Sequence, residues 1–403
     1  MVIGIIGGGA SGMAAALAAA ENKEIQVILM ERQARLGRKL QATGNGRCNL
    51  SNLHAAEGGY HGDDAAFSDY AISAFPPDAA LDWFRSLGLF TVAEESGRVY
   101  PYSDQANSVL DVLRFALEKE NITVKLGFEV EKVKKCPNGF RIEAKEEAIE
   151  VDRLIFACGG LAGTKLGGTM SGYKLLRSLG HKCTKLRPTL VQLKSGWNGV
   201  SALKGVRANC HAAIYHNGHL HAQSTGELQF TEYGLSGPVM FEISRDACQG
   251  AGEWVCKLDF YPQLREEAIR SELYRRKETD LPASELLTGI LHNRLGRVIA
   301  QEAGVSLNRK IAELSDYELK ETARLVKHFE VSLREPMGMD AAQVTAGGIV
   351  TRDFDPTTME SRLVPGLYAC GEVLDIDGDC GGYNLQWAWS SGRLAGHHAG
   401  GKT

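Results

Sequence analysis

No purely apolar run in this chain approaches the roughly 18 residues that cross a bilayer, so a spanning helix is not expected. A dominant charge is lacking too. The 45 Lys and Arg stand against 49 Asp and Glu, a formal charge of −4, which provides no global basic field to recruit nucleic acid. Disulfide and zinc-knuckle frameworks are missing as well. The nine cysteines, Cys48, Cys136, Cys158, Cys183, Cys210, Cys248, Cys256, Cys370 and Cys380, are odd in number and never in C-x-x-C spacing, which points to reduced thiols in a cytoplasm. The apolar start has no basic leader and is broken by glycines, unlike a signal peptide. There is no internal repeat and no low-complexity segment. What remains is an ordinary globular composition, 44% hydrophobic over 403 residues, long enough for two or three domains.

The stretch from Val2 to Glu31 organises the chain. Val2 to Ile6 reads as a short apolar strand, and Gly7, Gly9 and Gly12 follow in G-x-G-x-x-G spacing. A helix over Met13 to Ala20 and a second strand over Ile25 to Met30 lead to Glu31. Each glycine has its own mechanical role, since Gly7 permits the tight turn, Gly9 lets the backbone approach a pyrophosphate, and Gly12 lets helix and strand pack closely. The free N–H groups and dipole of the helix start attract the anion. Glu31 falls where a carboxylate accepts the hydroxyls of an adenosine ribose and would repel a 2′-phosphate, so FAD or NAD fits better than NADP. An ordinary strand-to-helix turn would not need all of these features at these offsets.

From Arg32 to Arg47 the chain carries Arg32, Arg35, Arg38, Lys39 and Arg47 and no acidic residue, interleaved with Gly37, Gly44 and Gly46. Such a run is either a solvated face or a clamp over an anionic or planar ligand, with Lys39 and Arg47 as its polar contacts. Helical patterns follow at Ala79 to Leu87 and Ser108 to Asn121. Ile122 to Lys135 and Phe140 to Val151 alternate like strands of a small antiparallel sheet, and Val130 sits where a backbone amide would meet an adenine. The strand Arg153 to Ala157 runs into Cys158-Gly159-Gly160, where backbone again comes close to a ligand or simply turns.

After Pro188 the texture changes to period-two alternation, with Cys210 to His216 and His219 to Ser224 joined by Asn217-Gly218, a strong hairpin signal. His216, His219 and His221 could converge across that hairpin, yet no carboxylate or cysteine accompanies them, so turn histidines are the better reading. Gly226 to Pro238 reads as a barrel corner or a lid. Arg265 to Arg334 is helical, with patterns at Glu266 to Glu278, Ala283 to Glu302 and Asp316 to His328. Strand character returns over Gln343 to Val350 and Gly366 to Ala369. Gly371-Glu372 then places a carboxylate for sugar-like hydroxyls, and Gly381-Gly382 opens a helix from Tyr383 to His397 whose N-terminus would stabilise negative charge.

With these residues assembled, the chain resembles the HI0933-like or aminoacetone-oxidase-like family of bacterial NAD(P)/FAD-dependent oxidoreductases. The blocks that carry the resemblance are GGGASGMAAA, GRKLQATGNGRCNLSN, GELQFTEYGLSGP, AQVTAGGIV and GGYNLQWAWSSG. It implies an α/β fold: a glutathione-reductase-like Rossmann FAD domain from residues 1–188 and 344–403, an inserted β-barrel-like domain over 189–264 and a helical domain over 265–343. It implies that Gly7, Gly9, Ala10, Ser11 and Gly12 hold the diphosphate, with Glu31 and Arg32 at the adenosine end and Val130 at the adenine. Lys39, Thr43, Gly44, Asn45, Gly46, Arg47 and Cys48 would line the flavin. Ala157, Cys158 and Gly159 would approach the cofactor, Gly371 and Glu372 would meet the ribityl chain, and Gly382, Tyr383, Asn384 and Leu385 would reach the ring. Cys158 and Asp379-Cys380 depart from the residues usual at those places, which bears on the ring environment and leaves FAD binding unaffected.

No second complete G-x-G-x-x-G lies in a strand–helix context, so a resident nicotinamide domain is not expected, and NAD(P)H would visit transiently as electron donor. The leading expectation is hydride chemistry through FAD, reducing an activated C=C bond in a bile-acid-type enone or a uracil ring. Tyr383 and Cys48 are the candidate proton donors, and either could instead pack against the ring. Two alternatives stand beside it: an amine oxidase with O₂ as acceptor, and a flavin-containing RNA- or ribosome-binding protein using local basic runs. The expected partners are a small-molecule or RNA-base substrate, with no membrane and no stable protein partner.

Overall fold

The β-branched strand Val2–Ile6 lies in the middle of a five-stranded, wholly parallel sheet. Across it the order is Leu367–Ala369, Arg153–Phe156, Val2–Ile6, Gln26–Glu31 and Ile122–Leu126, with Ile5 opposite both Ile155 and Leu29. The computed structural model describes residues 1–401. They divide into one unit of Met1–Arg187 with the chain from Gln343, and a second of Pro188–Ala342.

In the first unit the helix Ala10–Ala19 starts on Gly9 and is buried from Ser11 to Ala19. Its alanines follow from what lies on either side. The sheet covers one face, and the closing helix Tyr383–Ala399 covers another so closely that a Cβ on Gly392 or Gly396 would stand 2.4 Å from the Ser11 carbonyl oxygen or 2.3 Å from that of Ala15. Only small side chains permit that approach. Trp387 and Trp389 are fully buried farther up the same helix, and the Trp389 indole N–H donates to the Leu50 carbonyl at 2.9 Å.

Two expectations here need correction. Ile122–Leu126 belongs to the parallel sheet, pairing with Gln26–Glu31, and the small antiparallel sheet is Lys132–Cys136, Gly139–Glu143 and Ala148–Val151. As an edge strand, Ile122–Leu126 leaves Val124 and Leu126 exposed, so its sequence alternates like a half-buried antiparallel strand. The strand expected over Gln343 to Val350 is confined to Val344–Ala346, because the chain turns at Gly347.

The second unit is built on a closed six-stranded barrel, in the order Leu193–Ser195, Gly234–Ser236, His219–Phe230, Arg207–His216, Trp254–Asp259 and Phe329–Pro336. Cys210, Ala212, Ile214, Cys256, Leu258 and Val331 point inward on alternate positions. The sixth strand comes from within the stretch read as purely helical, so barrel and helices share one core rather than dividing at residue 264. Gly226 to Pro238 is a barrel corner: the end of one strand, a turn, and the short strand Gly234–Ser236. His216 stacks on Trp254 with ring centroids 4.1 Å apart and His221 meets the same ring edge-on. Beside the short helix Pro238–Ile243, the longer helices are Glu266–Arg275, Asn293–Glu302 and Asp316–Lys327. The single helix expected over Ala283 to Glu302 is broken at Gly289, and its second part begins where the His292 ring accepts from the Arg294 N–H at 3.2 Å. No helix of the described residues is long and apolar enough to cross a membrane.

Candidate active site

The first turn assigns its glycines to different duties. A Cβ on Gly7, whose φ is +112°, would lie 2.3 Å from the Ala157 carbonyl oxygen, and one on Gly12 would lie 1.8 Å from that of Gly7. At Gly9 nothing stands within 4 Å. Two glycines are thus required by protein packing, whereas the third faces open space at the start of the helix Ala10–Ala19, a cradle suited to a diphosphate. Glu31 is held beside it: its carboxylate accepts from the Gly8 N–H at 2.8 Å and the Gln33 N–H at 2.7 Å, with lone pairs left for ribose hydroxyls. The Phe128 N–H donates to the Glu31 carbonyl at 2.9 Å and brings the loop bearing buried Val130 to this end of the sheet. Arg32 turns away, donating to the Gly167 carbonyl at 2.7 Å.

The far half of the cradle joins residues from opposite ends of the chain. Lys39 Nζ lies 2.7 Å from Glu372 Oε2, and Glu372 Oε1 accepts from the Thr345 N–H at 2.9 Å. A Cβ on Gly371 would come within 2.6 Å of Ser11 Oγ, so the closing stretch reaches the first turn of the glycine helix. Between them, Gly44, Asn45, Gly46 and Cys48 all have positive φ, at 57°, 56°, 89° and 64°. Non-glycine residues adopt that conformation only where surrounding structure holds them there. Thr43 Oγ donates to the Leu40 carbonyl at 2.7 Å and anchors the start of this loop.

Arg47, expected as a polar contact, instead places its guanidinium 2.5 Å from Asp104, 3.3 Å from Glu94 and 4.0 Å over the Tyr100 ring. The Asp104 hydrogen bond raises its affinity for its proton further. Cys48 also departs from expectation as a proton donor. It is fully buried, and burial pushes its thiol up to about 12, so it packs the loop from within. Burial likewise raises Cys158 to about 12, and its thiol rests on the Ile6 carbonyl. Ala157 continues the strand through its N–H to the Ile6 carbonyl at 2.9 Å, and Gly159, at φ 68°, has open space beside it.

The closing helix begins beyond Gly382. Asn384 spans the preceding loop, its amide accepting from the Gly378 N–H at 2.9 Å and donating to the Gly378 carbonyl at 2.7 Å, while Leu385 packs on the main core. Tyr383 meets Tyr60 edge-on, with ring centroids 6.0 Å apart.

Three residues at this site, Thr345, Asn49 and His61, are absent from the sequence expectations. Thr345 binds Glu372. Asn49 holds a buried Oδ1 with no hydrogen-bond partner, a ready acceptor for a ligand group; its position directly after Cys48 in the GNGRCN block was the available signal. His61 and Asp379 pair at 2.6 Å beside Tyr60 and Tyr383, and their 318-residue separation left no local signal. A glycine turn open at Gly9, a Glu31 carboxylate fixed by two backbone N–H groups and the unpartnered Asn49 Oδ1 fit a dinucleotide such as FAD.

A family model described as HI0933-like protein Rossmann domain matches residues 1–398. The chain belongs to the HI0933-like family. This HI0933-like protein is 40% identical over 403 residues to the 3-dehydro-bile acid delta(4,6)-reductase of Clostridium scindens, covering 98% of each chain. It is 31% identical over 391 residues to the ribosomal RNA dihydrouridine synthase of Escherichia coli, covering 96% of this chain and 95% of that one. Among solved structures, 3-ketosteroid delta1-dehydrogenase from Sterolibacterium denitrificans aligns over 100% of this chain and 99% of its own with a TM-score of 0.52. At 11% identity that likeness speaks for a shared fold. Family and full-length kinship with a named reductase make this HI0933-like protein an FAD-dependent oxidoreductase.

Proposed function

We propose that this protein reduces a C=C bond conjugated to a carbonyl, in a bile-acid-type enone, with NAD(P)H as a transient electron donor. The observation that carries the reading is the 40% identity, across 98% of both chains, with a reductase named for a 3-dehydro-bile acid. The 31% identity with a ribosomal RNA dihydrouridine synthase supports a second reading, reduction of a uracil ring. Both substrates ask for the same work, because each develops negative charge on a carbonyl oxygen as hydride arrives at carbon.

Bound FAD supplies the hydride carrier. The chain's own residues do the rest. The N–H groups beyond Gly9 hold the diphosphate, and Glu31 takes the adenosine ribose. Lys39 holds Glu372 in place through their 2.7 Å contact, leaving that carboxylate to accept from ribityl hydroxyls. The N-terminus of the helix Tyr383–Ala399 would stabilise negative charge on a flavin ring held against it. In this assignment the FAD site lies in the discontinuous unit of Met1–Arg187 and the chain from Gln343.

The test is an anaerobic titration of the FAD-loaded protein. NADH or NADPH bleaches the flavin, and adding a 3-dehydro-bile acid with conjugated C=C bonds, or uridine in ribosomal RNA, restores its colour. Bleaching by aminoacetone, with peroxide formed on readmitting air, would instead establish the oxidase. A protein that cannot be loaded with FAD would refute both.

A further inference from the structure

Reduction of a conjugated C=C bond needs a proton as well as a hydride, and Cys48 is too deeply buried to give one. Beside Tyr383 the chain has built a different device. Tyr60–His61 pairs antiparallel with Asp377–Gly378, His61 opposite Asp377 and Tyr60 opposite Gly378. The Asp379 N–H donates to the Gly59 carbonyl at 2.9 Å and locks the end of this ladder. Asp379 Oδ1 then lies 2.6 Å from His61 Nε2. The Tyr383 ring edge and the second carboxylate oxygen of Asp379 flank one point, at 2.7 and 2.9 Å from where a Cβ on Gly59 would stand.

We propose that His61 is the proton donor of this site and Asp379 its positioning residue; the inference rests on the C=C reduction proposed above. A carboxylate that accepts from one imidazole nitrogen fixes ring orientation and tautomer, leaving the other nitrogen to exchange a proton with substrate. With Asp379 on Nε2, that nitrogen is Nδ1. The side chain is about a third exposed, at 35%, and Asp379 more so at 51%, so a substrate can reach the pair and solvent can reload it. The titratable and charged groups on the elements around it are Asp377 across the ladder, Asp63 and the Asp375 carboxylate that accepts from its N–H, Asp379, Tyr60 and Tyr383, with Arg98 against Gly381. Hydride supplied by NAD(P)H through FAD adds to the β-carbon of the enone, the C=C π bond breaks and its electrons pass to the carbonyl oxygen as an enolate; His61 gives its Nδ1 proton to the α-carbon, re-forming the C=O and making the second new C–H bond; the neutral ring recovers a proton from water.

The experiment uses the FAD-loaded protein as wild type, His61→Ala and Asp379→Asn. It measures enone reduction across pH and the binding of para-nitrophenol, a stable mimic of the enolate, to the oxidised form. His61→Ala is expected to lose about 10²–10³-fold in kcat with little change in KM. It should also bind the phenolate at least ~10-fold more weakly, retain wild-type affinity for FAD, and recover part of its rate when imidazole is added. Asp379→Asn should show a smaller kcat loss and a displaced pH profile. Wild-type kcat and phenolate binding in His61→Ala would overturn the role of His61 and leave the proposed reduction standing. A wild-type protein that takes up FAD but reduces neither the enone nor uridine would overturn both.

Discussion

Gly9 and Gly12 are both glycines of one turn, yet they answer to different forces. A methyl at Gly12 would collide with the Gly7 carbonyl oxygen at 1.8 Å, backbone that cannot yield, so Gly12→Ala should cost about 1–3 kcal/mol or more of apo-protein stability. Gly9 has no neighbour within 4 Å, so Gly9→Val should melt within about 0.5 kcal/mol of wild type while losing at least tenfold in FAD affinity. Thermal melts without cofactor and a fluorescence titration with it separate the two, and a stable Gly9→Val with unchanged FAD affinity would remove the diphosphate from this cradle. His181 makes a separate prediction about pH. Its buried ring stacks on Phe354 at 4.7 Å, and Ser361 Oγ lies 3.2 Å from its Nε2. That hydroxyl already accepts from the Leu363 and Val364 N–H groups, so its proton goes to Nε2, which must be unprotonated. Burial lowers the His181 pKa from 6.5 against the opposing pull of Asp353. A base whose folded pKa is depressed contributes stability above its unfolded pKa and loses it as pH falls towards the folded value. Stability should therefore decline as pH drops below about 6.5, and His181→Phe should flatten that part of a melting-temperature profile.

At the scale of the element, the closing helix matters most. Gly392 and Gly396 set its distance from the glycine helix, since a Cβ at either would come within 2.4 Å of a backbone oxygen. Each replaced by alanine should destabilise by about 1–3 kcal/mol and weaken FAD binding too, because the same displacement moves Gly371 off Ser11. Near-wild-type melting of Gly392→Ala would show that the two helices are free to separate. Elements whose determinants are local were legible in the sequence: the G-x-G-x-x-G turn, the Asn217-Gly218 hairpin and Glu31 at a strand end each depend on a few consecutive residues. Edge strands were not, because Ile122–Leu126 shows its partner on one side and water on the other, as an antiparallel strand would. Nor was the Lys39–Glu372 pair, whose members lie 333 residues apart, or the turn of the Arg47 side chain towards Asp104. Those choices are made by tertiary packing, which periodicity does not encode.

For the whole molecule, the division into Met1–Arg187 with the chain from Gln343, and Pro188–Ala342, makes a thermodynamic prediction. Each unit has its own buried core: the first around Ile3, Ile5, Phe156 and Trp389, the second around Leu193, Ile214, Phe230 and Val331. A chain with two such cores need not unfold in one step. If FAD binds entirely through residues of the first unit, saturating cofactor stabilises that unit alone, by about 2.7 kcal/mol at a free concentration one hundred times Kd. Calorimetry should then resolve two transitions, of which FAD raises one. Hydrogen exchange with mass spectrometry should assign the raised transition to peptides from 1–187 and 343–401, with peptides from 188–342 exchanging as before. One transition that moves as a whole with FAD, with protection spread through the barrel strands, would show instead that the inserted unit takes part in holding the cofactor.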